Sequence, residues 1–241
     1  MTRPYFFTDH IHPDSDGILV LGEATSHHCV QVLRMQAGAE LMLTDGKGCK
    51  ALARMLTPDR KRCRVRLLQK EQLSPADCRF ALGIAFTKNN SRNEWLLEKA
   101  TELGISDIYP LMTQRSEKAT IKQERLQSIL ISAMLQSQQC FLPLLHPMTP
   151  LTTLLQNIPQ DGEVQRFIAH CGTGEKQSYA RSLQAGKSAL VLIGPEGDFT
   201  EEEVTLCRKS GFVPVSLGSK RLRTETAGLY VCTLFNACND D

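Results

Sequence analysis

The chain has 241 residues, of which 41% are hydrophobic and 22% are charged, and its formal net charge is +2. This length and composition suit one large or two modest hydrophobic cores. No apolar run reaches the roughly 20 residues of a transmembrane helix, and acids and a proline interrupt the N-terminal stretch where a signal peptide needs an apolar run. We therefore predict a soluble, cytoplasmic protein with no membrane partner.

The nine cysteines are scattered along the chain and form no CxxC pair. Closely paired cysteines mark zinc sites and thioredoxin-like redox sites, so we expect neither and predict no metal. Most of the cysteines have apolar neighbours, as in AHCGTG and LYVCTLF. That pattern is typical of small buried side chains in a reducing compartment.

Residues 1–72 are predicted to form a small β-barrel, because short apolar runs alternate with turn signals such as DGKG and TPDR. In the last run Val65 and Leu67 alternate with arginines, which predicts a half-buried strand. One short helix is expected near residues 27–34. The apolar runs lie at 18–21, 40–45, 49–56 and 63–68.

Positions 47–70 hold nine basic residues against a single acid, Asp59. A cluster of this density is typical of a surface that contacts nucleic-acid phosphates. The solvated face of an ordinary β-domain explains the charge equally well. The basic residues are Lys47, Lys50, Arg54, Arg60, Lys61, Arg62, Arg64, Arg66 and Lys70.

Residues 73–241 are predicted to alternate strands and helices, which indicates an α/β domain with a mainly parallel sheet. Thr200 and Glu203 have the spacing of a capping box, which predicts a helix that begins at Thr200 and ends at Gly211. The predicted strands lie at 80–86, 105–112, 166–171, 189–194 and 213–218, and the other predicted helices at 94–103, 122–139 and 224–238.

Two loops that follow predicted strands carry the candidate chemistry, since α/β sheets bind ligands at the carboxyl ends of their strands. The first, GPEGDF, lacks a phosphate-binding glycine pattern, and the carboxylates of Glu196 and Asp198 would repel an anion. It therefore favours a neutral or cationic ligand. The second loop, LGSKRLRTETA, places basic residues before a helix. Two capped strand–helix turns without a ligand explain both loops equally well, so the residues alone leave an enzyme and an RNA-binding protein open.

Together, LIGPEGDFTEEE and LGSKRLRTETA resemble the C-terminal signature of the SPOUT methyltransferases, specifically the ribosomal RNA small-subunit methyltransferase E family. HHCVQVLRMQAGAEL with TDGKG resembles that family's N-terminal domain, and EWLLEKATELGISDIYPL resembles its first catalytic helix–strand unit. The resemblance covers most of the chain. Asp198 departs from it by standing where a second glycine is common. AMLQSQQCFLPLL departs by lacking the usual Glu-Gln and Arg, which bears on RNA positioning more than on the cofactor.

The resemblance implies an α/β fold of the SPOUT type: a trefoil-knotted, mainly parallel sheet with helices on both faces, preceded by a PUA-like β-barrel. Residues 1–72 would bind RNA and residues 73–241 would be the methyltransferase. It also implies a homodimer that uses S-adenosyl-L-methionine to methylate N3 of a uridine in 16S ribosomal RNA, as naked RNA or in the small subunit. The implied cofactor-binding residues are Leu192, Ile193, Gly194, Pro195, Gly197, Leu217, Gly218, Leu222, Thr224 and Thr226.

Transfer to N3 requires loss of the N3 proton, and we predict that Arg223 stabilises the resulting anion. Glu196 or Glu225 is the general base, and the sequence leaves both open. We predict that His27 and His28 are structural or contact RNA. The predicted phosphate contacts are Arg34, Arg60, Lys61, Arg62, Arg64 and Arg66.

Two other functions are less compatible with these motifs. A SPOUT enzyme that acts on transfer-RNA ribose hydroxyls is disfavoured by the N-terminal module and by the LRTETA form of the second loop. A non-catalytic ribosome-assembly scaffold is disfavoured because a scaffold requires neither of the two intact loops.

Overall fold

The computed structural model describes residues 3–117, 120–158 and 163–239 and divides the chain into two compact units. The first unit is the chain up to Pro75 together with Met134–Leu142, and the second is Ala76–Ala133 with the chain from Pro143 onward. The domain boundary between residues 72 and 73 stays a prediction.

The first unit is built on a five-stranded sheet in the order β1-β3-β4-β5-β2. β1 runs parallel to β3, and the other neighbours are antiparallel. The helix α1 begins before the predicted residues 27–34 and passes into a π-helical turn; β1 was not predicted. The elements are β1 Tyr5–Phe7, β2 Ile18–Val20, α1 Glu23–His27, the π-helical turn His28–Val32, β3 Glu40–Thr44, β4 Cys49–Thr57 and β5 Arg64–Gln72.

Alternating side chains of these strands form the core of the first unit. Leu41 and Leu43 of β3 are fully buried, as is Val65 of β5, and burying a side chain of this size stabilises a fold by roughly 1.5–3 kcal/mol. Arg64 and Arg66 point to solvent. The half-buried strand with exposed arginines is therefore confirmed.

The segment Met134–Leu142 is hydrogen-bonded to the rest of this unit at the DGKG turn, residues 45–48. The Leu142 N–H donates to the Gly46 carbonyl, and the Gly48 N–H donates to the Cys140 carbonyl, each at 2.8 Å. Gly48 has a φ of +91°, and a Cβ there would lie 2.5 Å from the Phe141 ring. The stretch that departs from the family pattern thus packs against the glycine turn.

The second unit is an eight-stranded sheet in the order β11-β13-β10-β12-β6-β7-β8, with β9 paired to β7. Every one of these strand pairs is parallel. The five predicted strands are present as β6, β7, β10, β12 and β13, whereas the shorter strands and the helices α4 and α5 were not predicted. The elements are β6 Phe80–Ile84, α2 Asn90–Glu102, β7 Asp107–Met112, α3 Gln123–Gln136, β8 Leu144–Leu145, β9 Thr149–Pro150, α4 Leu151–Asn157, β10 Gln165–Ala169, β11 Gln177–Ser178, α5 Tyr179–Ser182, β12 Ala189–Ile193, α6 Glu201–Lys209, β13 Val213–Ser216 and α7 Thr224–Asn239.

Helices cover both faces of this sheet. On one face Leu154 of α4 and Cys207 of α6 join the core around Leu192. On the other face α7 packs closely against the sheet at Gly228, which has no side chain. A Cβ at this position would lie 3.0 Å from Ile84. The predicted capping box at the start of α6 is present: the Thr200 side chain accepts the N–H of Glu203, and the Glu203 side chain accepts the N–H of Thr200. No helix among the described residues is long and apolar enough to cross a membrane.

Candidate active site

Three loops at the carboxyl ends of β10, β12 and β13 surround a cavity of about 720 Å³. The sequence predicted two of them, the loop after β12 and the loop after β13. The third, residues 170–176, follows β10, which ends at Ala169, two residues before the end of the predicted strand at 166–171. Because all three strands are parallel and adjacent, their loops meet at one edge of the sheet.

A hydrogen bond from a side chain to the backbone joins the loops after β12 and β13. The Thr224 hydroxyl donates to the Gly194 carbonyl at 3.3 Å. A Cβ on Gly194 would lie 3.0 Å from the Phe199 ring, so this position has no room for a side chain. Gly218 has a φ of +115° and lines the cavity, and this backbone conformation strains any residue with a Cβ.

Seven of the ten predicted cofactor-binding residues line the cavity: Ile193, Gly194, Pro195, Leu217, Gly218, Leu222 and Thr224. The other three lie outside its wall. Leu192 is fully buried in the core on the α4–α6 face, because alternate residues of β12 point to opposite faces. Thr226 is exposed. The Gly197 carbonyl accepts a hydrogen bond from Arg115 at 2.8 Å.

Of the three predicted catalytic residues, the structure places two at the cavity, Arg223 and Glu196. The side chain of Glu196 is 54% exposed, whereas that of Glu225 is 9% exposed. Glu225 Oε1 lies 3.6 Å from Nε of Arg92, and its Oε2 is buried with no hydrogen-bond partner. The two carboxylates that the sequence left equivalent therefore have different surroundings.

Arg92, which no sequence motif indicated, links these two carboxylates. Its Nη1 donates to Glu196 Oε1 at 3.2 Å while its Nε faces Glu225. It lies in the first turn of α2, which begins four residues before the predicted start because the Asn89 side chain accepts hydrogen bonds from the backbone N–H of Ser91 and of Arg92. An Asn in front of a polar stretch is a common N-cap, and this signal could have placed Arg92 in the first turn.

The third loop brings His170, Cys171 and Lys176 to the cavity. Burial, followed by the charge of Lys176, lowers the pKa of His170 below its ordinary value, so the ring is neutral at neutral pH. Lys176 Nζ donates to the carbonyls of His170 and Gly172 and closes the loop. Six of the nine cysteines are buried as predicted, and Cys78 and Cys238 are partly buried. The prediction is wrong for Cys171, which is exposed because it lies beyond the end of β10.

The predicted phosphate-binding residues all lie in the first unit and are all exposed: Arg34, Arg60, Lys61, Arg62, Arg64 and Arg66. His27 and His28 are exposed in the same unit. Asp59 shapes the turn before β5, because its Oδ1 accepts the backbone N–H of Lys61 and of Arg62, and these bonds lower the pKa of its carboxyl. The side chains of residues 60–62 are thus presented to solvent by a turn that does not depend on them.

Within the three described ranges, no group of three or more His, Cys, Asp or Glu side chains is placed to hold a metal ion. The charged lining of the cavity consists of two carboxylates, Glu196 and Asp198, and four cations, Lys176, Lys220, Arg221 and Arg223. Such a lining suits a small ligand that carries charges of both signs.

Comparison with known proteins places this fold and site in a class. A family model for an RNA methyltransferase domain matches residues 74–236, and one for an RNA methyltransferase PUA domain matches residues 21–68. The ribosomal RNA small subunit methyltransferase E of Bacillus subtilis is 31% identical, covering 85% of this chain and 84% of its own length, and that of Synechocystis is 28% identical over 92% and 74%.

Solved structures are similar to this chain over nearly its whole length. A crystal structure described as a probable rRNA-methyltransferase from Porphyromonas gingivalis has a TM-score of 0.89 at 38% identity and covers 98% of both chains. The ribosomal RNA small subunit methyltransferase E of Neisseria gonorrhoeae, bound to S-adenosyl methionine, has a TM-score of 0.84 at 26% identity, covering 99% of this chain and 98% of that one.

A parallel α/β sheet with a ligand cavity at its carboxyl edge, preceded in the chain by a small basic β-domain, therefore defines an RNA methyltransferase with a PUA-type domain. The chain belongs to the ribosomal RNA small subunit methyltransferase E family. The predicted fold class, a SPOUT-type α/β domain preceded by a PUA-like barrel, is confirmed.

Proposed function

We propose that this chain transfers the methyl group of S-adenosyl-L-methionine to N3 of one uridine in 16S ribosomal RNA, as naked RNA or within the small subunit. The observation that carries the proposal is the shared cavity, which is lined by a carboxylate from one loop, Glu196, and a guanidinium from the next, Arg223. Deprotonation of N3 and stabilisation of the resulting anion require groups of these two kinds.

The cavity residues fit the cofactor. A volume of about 720 Å³ lies within the range of roughly 300–1,000 Å³ that small-molecule sites occupy. Ile193, Leu217 and Leu222 offer apolar surface to an adenosine. The loop carboxylates suit a sulfonium and an ammonium group, and Lys220 and Arg221 suit a carboxylate. When bound, S-adenosyl-L-methionine supplies an electrophilic methyl group.

The proton of N3 would pass to Glu196. Both carboxylates contact Arg92, but that of Glu196 lines the cavity and is 54% exposed, whereas that of Glu225 is 9% exposed and does not line it. Arg223 would donate to the uracil oxygens, over which the negative charge of the deprotonated ring spreads, because its planar fork of N–H groups matches paired acceptors. In this assignment Glu225 holds Arg92, and Arg92 orients Glu196.

RNA would bind through the exposed cations of the first unit. The three side chains of residues 60–62 carry positive charge on one turn, and Arg64 and Arg66 continue it along the outer face of β5. This arrangement suits phosphates rather than base edges, so it would contribute affinity without reading sequence.

A homodimer in the cytoplasm completes the proposal. The helices α2 and α7 pack against each other and expose Trp95 and Tyr230, at 43% and 37%. Exposed aromatic residues are enriched at protein interfaces. Sedimentation equilibrium of the purified chain tests this part: a single monomeric species at micromolar concentration would contradict it.

The test of the function is methyl transfer from labelled S-adenosyl-L-methionine to small subunits purified from cells that lack this protein, followed by mass mapping of the modified nucleoside. One site carrying 3-methyluridine supports reaction, atom and substrate together. A methyl group on ribose or on carbon 5 would refute the N3 assignment. Folded protein that neither binds the cofactor nor transfers a methyl group would refute the enzymatic function.

A further inference from the structure

The backbone of Asp198 adopts a conformation that a glycine usually occupies. Its φ is +65°, one of three positive values among the described non-glycine residues. The left-handed region is unfavourable for most residues with a Cβ, although Asp and Asn tolerate it better than others. A side chain is kept at such a position most readily when it makes contacts of its own.

Both carboxylate oxygens of Asp198 accept backbone hydrogen bonds. Oδ1 accepts from the N–H of the next residue, Phe199, at 2.9 Å, and so fixes the carboxylate on its own loop. Oδ2 accepts from the N–H of Cys171 at 2.7 Å, which is the short distance of a charge-assisted bond. Asp198 therefore connects the loop after β12 to the loop after β10.

The loop that donates this hydrogen bond is otherwise held mainly by its own contacts. Residues 171–175 are exposed. Lys176 closes the loop onto itself, and Arg208 of α6 reaches the Glu175 carbonyl at 3.5 Å. The bond from Cys171 to Asp198 joins this loop directly to the loop after β12, which also lines the cavity.

We propose that Asp198 is a positioning residue for the cofactor: its carboxylate latches residues 170–176 onto the loop after β12 and so sets the width of the cavity. The binding measurement rests on the proposed function, because it uses the proposed cofactor. The latch itself is a property of the free protein and is measured without any ligand.

Substitution by glycine tests the contribution of the Asp198 side chain separately from that of its backbone conformation. Asp198→Gly removes the latch and at the same time makes φ +65° unstrained, so a purely conformational role predicts no loss of function. Asp198→Asn removes the charge but keeps one acceptor oxygen and tolerance of the left-handed region. Both variants lack the negative charge, and they differ in the one acceptor oxygen that only asparagine retains.

Hydrogen exchange of the free proteins is the first readout. The Cys171 N–H lies on an exposed loop, so its protection comes from the Asp198 carboxylate. In Asp198→Gly we expect exchange of the Cys171 N–H to accelerate about tenfold or more, the effect of one lost charge-assisted hydrogen bond, while strand β12 keeps its wild-type exchange. Unchanged exchange in this loop would overturn the proposal.

Calorimetric titration with S-adenosyl-L-methionine is the second readout. We expect the Kd of Asp198→Gly to rise about tenfold, the effect of one charge-assisted hydrogen bond, and that of Asp198→Asn to rise less. A glycine variant that binds as tightly as wild type would refute the latch. If wild type itself failed to bind, the proposed cofactor would be wrong, and the exchange measurement would still decide whether the latch exists.

Discussion

The carboxylate of Glu203 joins the start of α6 to the end of β7, and its removal should destabilise the second unit. Oε2 accepts the backbone N–H of Thr200 at 2.9 Å as part of the capping box, and Oε1 accepts the N–H of Gln114 at 2.8 Å. The side chain is buried. Glu203→Ala therefore leaves two backbone donors without their acceptors.

The size of the effect follows from the surroundings of the two donors. Thr200 is buried, and a buried donor without a partner costs about 1–3 kcal/mol. Gln114 is exposed, so water replaces the carboxylate there and the destabilisation is about 1 kcal/mol. A total of about 3 kcal/mol corresponds to a fall in Tm of about 6–12 °C for a unit of this size.

Thermal unfolding followed by far-ultraviolet circular dichroism, at one fixed scan rate, measures this fall. Glu201→Ala is the matched control, because Glu201 lies exposed in the same helical turn, and we expect its Tm to stay within about 2 °C of wild type. Glu203→Gln keeps one acceptor oxygen and should fall between the two. If Glu203→Ala and Glu201→Ala unfolded at the same temperature, the Glu203 link between α6 and β7 would contribute nothing to the free energy of unfolding, and the prediction would be wrong.

Three further outcomes are expected. Alanine at all of residues 60–62 should weaken RNA binding and reduce the slope of log K against log salt by about 0.9 for each phosphate that the variant no longer neutralises, with the cofactor Kd unchanged. Filter binding at several salt concentrations measures this, and an equal weakening of cofactor binding would indicate misfolding instead. Arg223→Ala should slow single-turnover methyl transfer by about 10²–10³-fold, and a near wild-type rate would remove its proposed role. Glu196→Gln should lower the transfer rate while leaving Tm unchanged, whereas Glu225→Gln should lower Tm because its carboxylate is buried beside a guanidinium. The reverse pattern would exchange the two roles.

The main strands could be predicted because a parallel strand covered on both faces is a continuous apolar run. ALVLI of β12 is buried at every position, and its sequence shows this directly. The two-residue strands β8, β9 and β11 have no such signal, since a periodicity needs several residues to be visible. The helix α4 does have apolar residues at helical spacing, Leu151, Leu154 and Leu155, and its seven residues fall below the length at which that spacing stands out.

Contacts between distant segments explain most of what the sequence could not show. The pattern of residues 134–142 is that of a helix end and a loop, and nothing local indicates that Cys140 and Leu142 bond to the glycine turn nearly one hundred positions earlier. The third loop is a different case. It follows a strand that was predicted, so the rule that placed the other two loops at the sheet edge would also have placed His170 and Lys176 there.

The choice between Glu196 and Glu225 shows where sequence reasoning about a site ends. Both carboxylates follow strands at the same edge of the sheet, so topology alone makes them equivalent. The difference arises because Thr224 and Ala227 are the residues of the first turn of α7 that line the cavity, and Glu225, one position further on, lies on a different side of the helix. The guanidinium that it meets comes from Arg92, more than one hundred positions earlier in the chain. Glu196 contacts the same guanidinium, so the two carboxylates differ in exposure, 54% against 9%, rather than in partner. No motif around either carboxylate contains Arg92, and only the packing of α2 against α7 brings it to them.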